Sequence, residues 1–324
     1  MNRLVIILAT TLLACGDAGT SRAGSAVSHT ESTEAAVMVA AKAQADELPL
    51  PDVPSSLRSP EERAAYILGH FWEGMVWSDT LRSHDTDFME QNMVNFINLF
   101  QYTDTASINA AVATMMNGAT AVPSSYMKVM DVAEKYLYDP NSPMLDEEYY
   151  RLFLAQALGG SVLSDVEKTR YRFQESELSK NRRGSKGADF SYIDVSGHRG
   201  TLYGFGDKGA MKLVIFYDPE CENCAEIIAW LSHDPRVRDM VDGGRLSILG
   251  IYPDGDMDEW EKGKSKLPKD WTNGYSPDGD VVEREIYYLR ATPTIYLFTP
   301  ENVVAGKDLT APQLDAWLSS AAVR

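Results

Sequence analysis

The sequence predicts a two-domain α+β chain: an all-α helical domain followed by an α/β domain built on a mixed sheet. Three observations carry this. Apolar residues recur at helical spacing through residues 58–180. Residues 184–324 instead alternate short apolar runs with helical stretches, the pattern of strands and their connecting helices. Between the two lies Asn181–Gly187 (NRRGSKG), a basic, glycine-containing link.

The chain has 324 residues, enough for two cores, and its 44% hydrophobic and 24% charged residues are ordinary for globular protein. The formal net charge is −17, from 30 basic and 47 acidic residues. Such a surface repels nucleic acid and anionic headgroups, so neither is expected as a ligand. The acidity is read as serving solubility. Cysteines stand at positions 15, 221 and 224, too few for a disulfide-rich scaffold or a four-cysteine zinc site.

The elements follow in chain order. Met1-Asn2-Arg3 is a short basic start, and Leu4–Leu13 is an apolar run too short to span a bilayer as a mature helix. It suits a signal peptide over residues 1–14. Leu13-Ala14-Cys15-Gly16 closes the run and resembles a bacterial lipobox, which implies cleavage before Cys15 and a diacylglyceryl anchor on its sulfur. Residues 15–57, rich in Ala, Ser, Thr and Glu and ending in a proline-rich stretch, are expected to be a disordered tether. About 40 flexible residues reach roughly 35 Å, clear of a membrane.

Ser59-Pro60-Glu61-Glu62 opens the helical domain with a capping box, and Ala64, Ile67, Leu68, Phe71 and Met75 share a face behind it. Further helices are expected over Phe88–Phe100, Ile108–Met116, Tyr126–Tyr138, Glu147–Leu158 and, after a Ser164…Glu167 box, to about Lys180. Gly118, Asp139-Pro140 and Gly159-Gly160 separate them, giving about six helices in an irregular bundle. His70 and His84 lack metal-ligand spacing with nearby carboxylates, and no metal site is expected. Trp72, Trp77, Tyr136, Tyr138, Tyr149 and Tyr150 are read as core and helix-packing residues rather than a peptide groove.

In residues 184–324, Phe190–Ile193 and Thr201–Tyr203 are short extended pieces about a turn at Gly197. Lys212–Tyr217 (KLVIFY), Leu246–Tyr252 (LSILGIY) and Thr294–Thr299 (TIYLFT) are buried strands, with Val303–Ala305 as an edge. Helical stretches are expected over Cys221–Leu231, Met257–Lys264, Val281–Tyr288 and after Thr310.

Cys221-Glu222-Asn223-Cys224 lies between the first of these strands and its helix. Amide groups and the dipole at a helix N-terminus stabilise a thiolate. The three-residue offset places the second sulfur within one turn, where it closes or resolves a disulfide. Cys221, at the exposed turn, is the expected nucleophile; Cys224, one turn in, is the expected resolving thiol. About 70 residues on, Ala291-Thr292-Pro293-Thr294 puts a proline at the opening of an apolar strand, an unusual place for one.

The C-x-x-C and this proline together resemble the thioredoxin superfamily. The resemblance implies a cis Pro293 lying against the disulfide and a Thr292 backbone that pairs with incoming peptide. Ala188–Gly197 through Phe216 is similar to the start of extracytoplasmic, membrane-anchored disulfide reductases. Residues 60–180 resemble an uncharacterised helical domain-of-unknown-function family that precedes such domains in bacterial lipoproteins. His70-Phe71-Trp72, Tyr138–Pro143 (YDPNSP) and Asn181–Ser185 carry that likeness. The site departs from thioredoxin, which has tryptophan before the first cysteine and Gly-Pro inside the motif; here stand Glu220 and Glu222-Asn223. The buried aspartate six residues before the first cysteine is replaced by Ile215, and Asp218 is a candidate for proton handling in its place.

The expected activity is an envelope thiol–disulfide oxidoreductase, lipid-anchored and facing the periplasm. Protein disulfides would be its substrates, a membrane electron donor its source of reducing power, and the dithiol itself its redox group, with no further cofactor. Asp218, Glu220, Glu222 and Glu226 crowd negative charge near Cys221 and oppose a thiolate, so a reductant or isomerase is expected rather than a disulfide donor. The alternative is a non-catalytic lipoprotein with a static disulfide that binds an envelope partner through its helical half. A peroxidase would want a hydroxyl where Asp218 stands, and a copper carrier a third ligand.

Overall fold

The computed structural model describes residues 47–277 and 281–321. The expected signal peptide, the expected lipidation at Cys15 and most of the expected tether lie outside the described residues. The tether was expected to reach residue 57, but Leu48 is already buried in the helical core and donates its N–H to Asn92 Oδ1 at 2.8 Å. One leucine with a core slot waiting is enough to fix a proline-rich segment that has little backbone entropy to lose.

Among the described residues the first half has seven α-helices, with a short 3-10 turn at Phe100–Tyr102: α1 (Pro60–His70), α2 (Thr80–Ser83), α3 (Thr86–Asn98), α4 (Thr105–Ala119), α5 (Pro123–Leu137), α6 (Glu147–Gly159) and α7 (Asp165–Leu178). Their starts are written in side chains. Ser59 with Glu62 and Ser164 with Glu167 form complete capping boxes. Asp85, Asp104 and Asp146 each accept from first-turn amides at α3, α4 and α6. The short α2 was not expected; Asp79 caps it. The bundle buries Phe71, Trp72, Met93, Phe96, Tyr150 and Phe153 in one cluster, with Phe96 and Phe100 edge to face at 5.1 Å. Trp72, Trp77 and Tyr150 are core residues. His70 stacks on Tyr66 and its Nδ1 bonds the Tyr66 carbonyl at 2.8 Å. Among the described residues no helix is long and apolar enough to cross a membrane.

The second half runs β1 (Ser191–Asp194), β2 (Arg199–Thr201), β3 (Met211–Phe216), α8 (Glu222–His233), α9 (Pro235–Asp242), β4 (Leu246–Tyr252), α10 (Met257–Gly263), β5 (Thr272–Tyr275), β6 (Thr294–Phe298), β7 (Val304–Gly306) and α11 (Ala311–Ala321). The sheet order is β2-β1-β5-β4-β3-β6-β7. β3, β4 and β5 are mutually parallel, while β6 runs antiparallel beside β3. Alternation along β3 splits the core. Leu213, Ile215 and Tyr217 face a cluster with Ile228, Leu231, Met240 and Leu314 from α8, α9 and α11. Val214 and Phe216 face Phe190, Leu202, Phe205 and Tyr287.

That second face explains a correction. Val281–Tyr288, read as helical, is a turn followed by irregular chain. Glu285 adopts φ +49°, which breaks a right-handed helix. Tyr287 instead lies edge-on to Phe190 and Tyr296 at 5.5 and 5.1 Å and donates its hydroxyl to the Ala188 carbonyl at 2.6 Å. Aromatic segments, not helices, cover this side of the sheet. The supposed link Asn181–Gly187 is likewise built in. Asn181, in the left-handed region at φ +49°, bonds Ile286 O and Ala188 N, both at 2.7 Å. Gly184 N–H donates to Val304 O at 2.8 Å, and Val304 N–H to Ser185 O at 2.9 Å, along the edge of β7.

A buried charge cluster joins the halves. Glu147 at the start of α6 pairs with Arg290 and Lys307, each at 2.8 Å, and Arg290 also pairs with Asp308 at 2.6 Å. Arg290 donates to the Tyr138 carbonyl and lies over the Tyr138 ring at 4.2 Å. Lys307 Nζ reaches the carbonyls of Leu178 and Lys180, so a cation finishes the C-terminal end of α7.

Candidate functional site

The site forms where β3 ends and α8 begins. Asp218 turns the chain: its carboxylate accepts the Glu220 N–H at 2.7 Å and its carbonyl accepts the Cys221 N–H at 3.2 Å. Cys221 is then the N-cap of α8. Its backbone is extended, and its Sγ accepts the Cys224 N–H at 3.2 Å, the position a serine or aspartate oxygen usually fills. An anion there gains from the amide and from the helix dipole.

The two thiols differ. Both are free, Cys221 half-buried and Cys224 buried. Burial pushes the Cys224 thiol up to about 12, and the hydrogen bond with Cys221 acts in the same direction. The Asp218 backbone and the Thr292 hydroxyl oppose this without reversing it. Cys224 is therefore the held, protonated partner at neutral pH.

The Thr292–Pro293 peptide bond is cis. The Thr292 carbonyl lies 3.4 Å from Cys221 Sγ and accepts its proton. Fold topology brings these together: β6 lies antiparallel to β3, with Phe216 opposite Thr294, so the chain entering β6 meets the chain leaving β3. Asp218, the remaining expected site residue, lines a cavity of about 250 Å³ with Cys221 and Cys224. Its carboxylate is engaged by the turn.

The same cavity holds two residues that the sequence did not bring to the site. His233, at the end of α8, and Lys266 both line it, and Lys266 Nζ donates to the Pro219 carbonyl at 3.0 Å. His233 stands nine residues beyond Cys224, about two and a half turns on, so helical period sets it on another face of α8 and did not point to it; Lys266 comes from after α10 and needed the fold. Glu220, Glu222 and Glu226 are exposed, so water screens much of their charge.

Residues 18–181 match the family described as Domain of unknown function (DUF5106). No curated protein matches the chain. Among solved structures, the chain is similar to a thioredoxin-like protein from Bacteroides caccae, at 32% identity and TM-score 0.78 over 84% of this chain and 98% of that one. It is also similar to the C-terminal domain of an uncharacterized protein from Bacteroides fragilis, at 37% identity and TM-score 0.42, covering 44% of this chain and 99% of that one. A third likeness is to the thioredoxin domain of a thiol-disulfide oxidoreductase from Bacteroides vulgatus, at 25% identity and TM-score 0.38, covering 44% of this chain and 98% of that one. The B. caccae protein is matched across both halves, and with the helical match it supports one conclusion: this chain belongs to the DUF5106 family and is a thioredoxin-like protein.

Proposed function

We propose that the chain is an envelope thiol–disulfide oxidoreductase, lipid-anchored through Cys15, which reduces or isomerises protein disulfides. One observation carries the reading: a half-exposed thiol caps a helix beside the Thr292 carbonyl, with a buried second thiol one turn behind it. The Cys221 thiolate attacks one sulfur of a substrate disulfide. A bond forms to Cys221 Sγ, the substrate S–S bond breaks, and the freed substrate thiolate takes up the proton that Cys221 released. Cys224 then loses its proton, attacks Cys221 Sγ and expels the second substrate sulfur, which is protonated in turn. The substrate gains two electrons and two protons, and the chain is left with a Cys221–Cys224 disulfide.

Asp218 is the one carboxylate among the residues lining the cavity and is the group proposed to receive the Cys224 proton. A membrane dithiol protein is proposed to return two electrons. The dithiol is the whole of the redox apparatus in this reading. Reduction is favoured over oxidation because a strong oxidant needs a stabilised thiolate, and Asp218 in the cavity with Glu220, Glu222 and Glu226 nearby in sequence adds negative charge that opposes one.

The test is the reduction potential of the Cys221–Cys224 pair in the full chain carrying Cys15→Ser. A value between roughly −180 and −280 mV supports exchange in the reducing or isomerising direction. A value near about −120 mV reverses the direction, and one below roughly −300 mV makes the pair a structural disulfide and removes the activity.

A further inference from the structure

Thr292 stands just outside the sheet, since β6 begins at Thr294. Its carbonyl faces Cys221, and its N–H has no hydrogen-bond partner among the described residues. An unpaired amide beside a reactive sulfur is an edge on which an extended chain can pair.

Two cavities meet at Ala291 and Thr292. The first, about 220 Å³, lies between Pro293, Asn223 and Ile227 on one side and Pro140, Ser142 and Pro143 on the other. The second, about 460 Å³, is lined by Tyr288, Val282 and Asp254 and by Phe173 of α7. Each cavity thus has one wall from the helical half. Phe173 is 58% exposed and Val282 42%, large apolar surfaces left open in the cavity that Thr292 also lines. Phe173 stands edge-on to Tyr288 at 6.5 Å, and Tyr138 holds the Tyr288 hydroxyl at 2.7 Å. Asp254 and Glu285 bring negative charge to the same cavity.

Resting on the exchange reading above, we propose that the helical domain reads the substrate: an extended polypeptide bearing the disulfide lies across Thr292 in a trough walled on both sides by this domain. The occupant is a polypeptide because only a chain fills both cavities while pairing with Thr292. Apolar and basic residues suit the Phe173 side, where exposed rings and carboxylates meet. A small anionic disulfide such as oxidised glutathione is repelled there. Arg290 makes wall and edge one piece. It is two residues before Thr292, it is buried, and it grips Tyr138 and Glu147 of the helical half.

The test uses the full chain with Cys15→Ser and three probes: a synthetic peptide with a central cysteine disulfide flanked by Lys and Leu, the same peptide flanked by Glu, and hydroxyethyl disulfide. The expected result is a higher kcat/KM for the Lys-flanked peptide than for the Glu-flanked one. In Phe173→Ser, the ratio of kcat/KM for the Lys-flanked peptide to that for hydroxyethyl disulfide falls about tenfold through KM, the scale of losing one well-placed interface side chain. In Asp254→Lys, the preference between the two peptides inverts. Both side chains are exposed, so both variants fold. Unchanged ratios in both variants overturn the inference while leaving the exchange reading intact. A parent protein that reduces none of the three probes overturns the exchange reading and this inference with it.

Discussion

Glu147→Gln tests the buried charge cluster most sharply. Glu147 is 8% exposed, and the side chains of its partners Arg290 and Lys307 are 7% and 6% exposed. With Asp308 the cluster holds two cations and two anions. At 2.8 Å and an effective dielectric near 20, each contact is worth roughly 6 kcal/mol before desolvation. Desolvation takes back several kcal/mol per ion, so the pairs add little net stability, but deleting one partner strands a buried charge. The expected loss is about 3–5 kcal/mol. Urea unfolding of the Cys15→Ser chain, followed by far-ultraviolet circular dichroism, measures it as a lower midpoint at unchanged slope. Adding Lys307→Met restores charge balance while keeping Arg290 with Asp308, and most of the loss returns. A single-variant cost below about 1 kcal/mol would mean that water reaches the cluster, and the argument for a buried joint between the halves would fail.

Three further outcomes are expected. Phe96→Ala, at a fully buried position of the helical core, costs about 3–5 kcal/mol in the same urea experiment. In Gly263→Ala the new methyl would lie 2.2 Å from Pro219 Cβ, so Pro219 must move; calorimetry shows about 1–3 kcal/mol lost, and exchange slows because Cys221 follows two residues later. The third concerns pH. The Cys224 thiol is raised from 9.0 to about 12 in the folded chain, so between those values the native state holds a proton that the unfolded state has released. Reduced-state stability therefore falls as pH rises through this window, by up to about 1.4 kcal/mol per unit, and Cys224→Ala removes that slope. The resolving step, timed from a Cys221 mixed disulfide, accelerates as pH rises and the Cys224 thiolate fraction grows.

Local chemistry made much of the fold legible. Ser59-Pro60-Glu61-Glu62 and Ser164…Glu167 announce helix starts because each satisfies orphan amides with its own side chains. KLVIFY, LSILGIY and TIYLFT read as strands because both faces are buried, so each is apolar throughout. The misses lie where the signal is tertiary. β5 is Thr-Asn-Gly-Tyr, with no apolar run; it is a strand because β4 offers a parallel ladder and because Gly274 lets Ile193 O approach. Asp234-Pro235 marks the start of α9 in the sequence, with Asp234 capping and proline in the first turn. At the site, the C-x-x-C and Thr292-Pro293 could be picked out by motif. Lys266 and the walls around Phe173 and Pro140 could not, because only the packed molecule brings them near the thiols.

The passage from helices to sheet has a consequence for cutting the molecule. Ser185 and Gly184 bond Val304 on the open flank of β7, so the connecting residues serve as the sheet's selvedge. A fragment beginning at residue 188 would keep the thiols and Pro293 but bare that flank, and unpaired strand edges recruit other chains. It would also leave Arg290 and Lys307 without Glu147. The C-terminal half taken alone is thus expected to self-associate in proportion to its concentration, and its redox behaviour would report on aggregates as much as on the thiol pair.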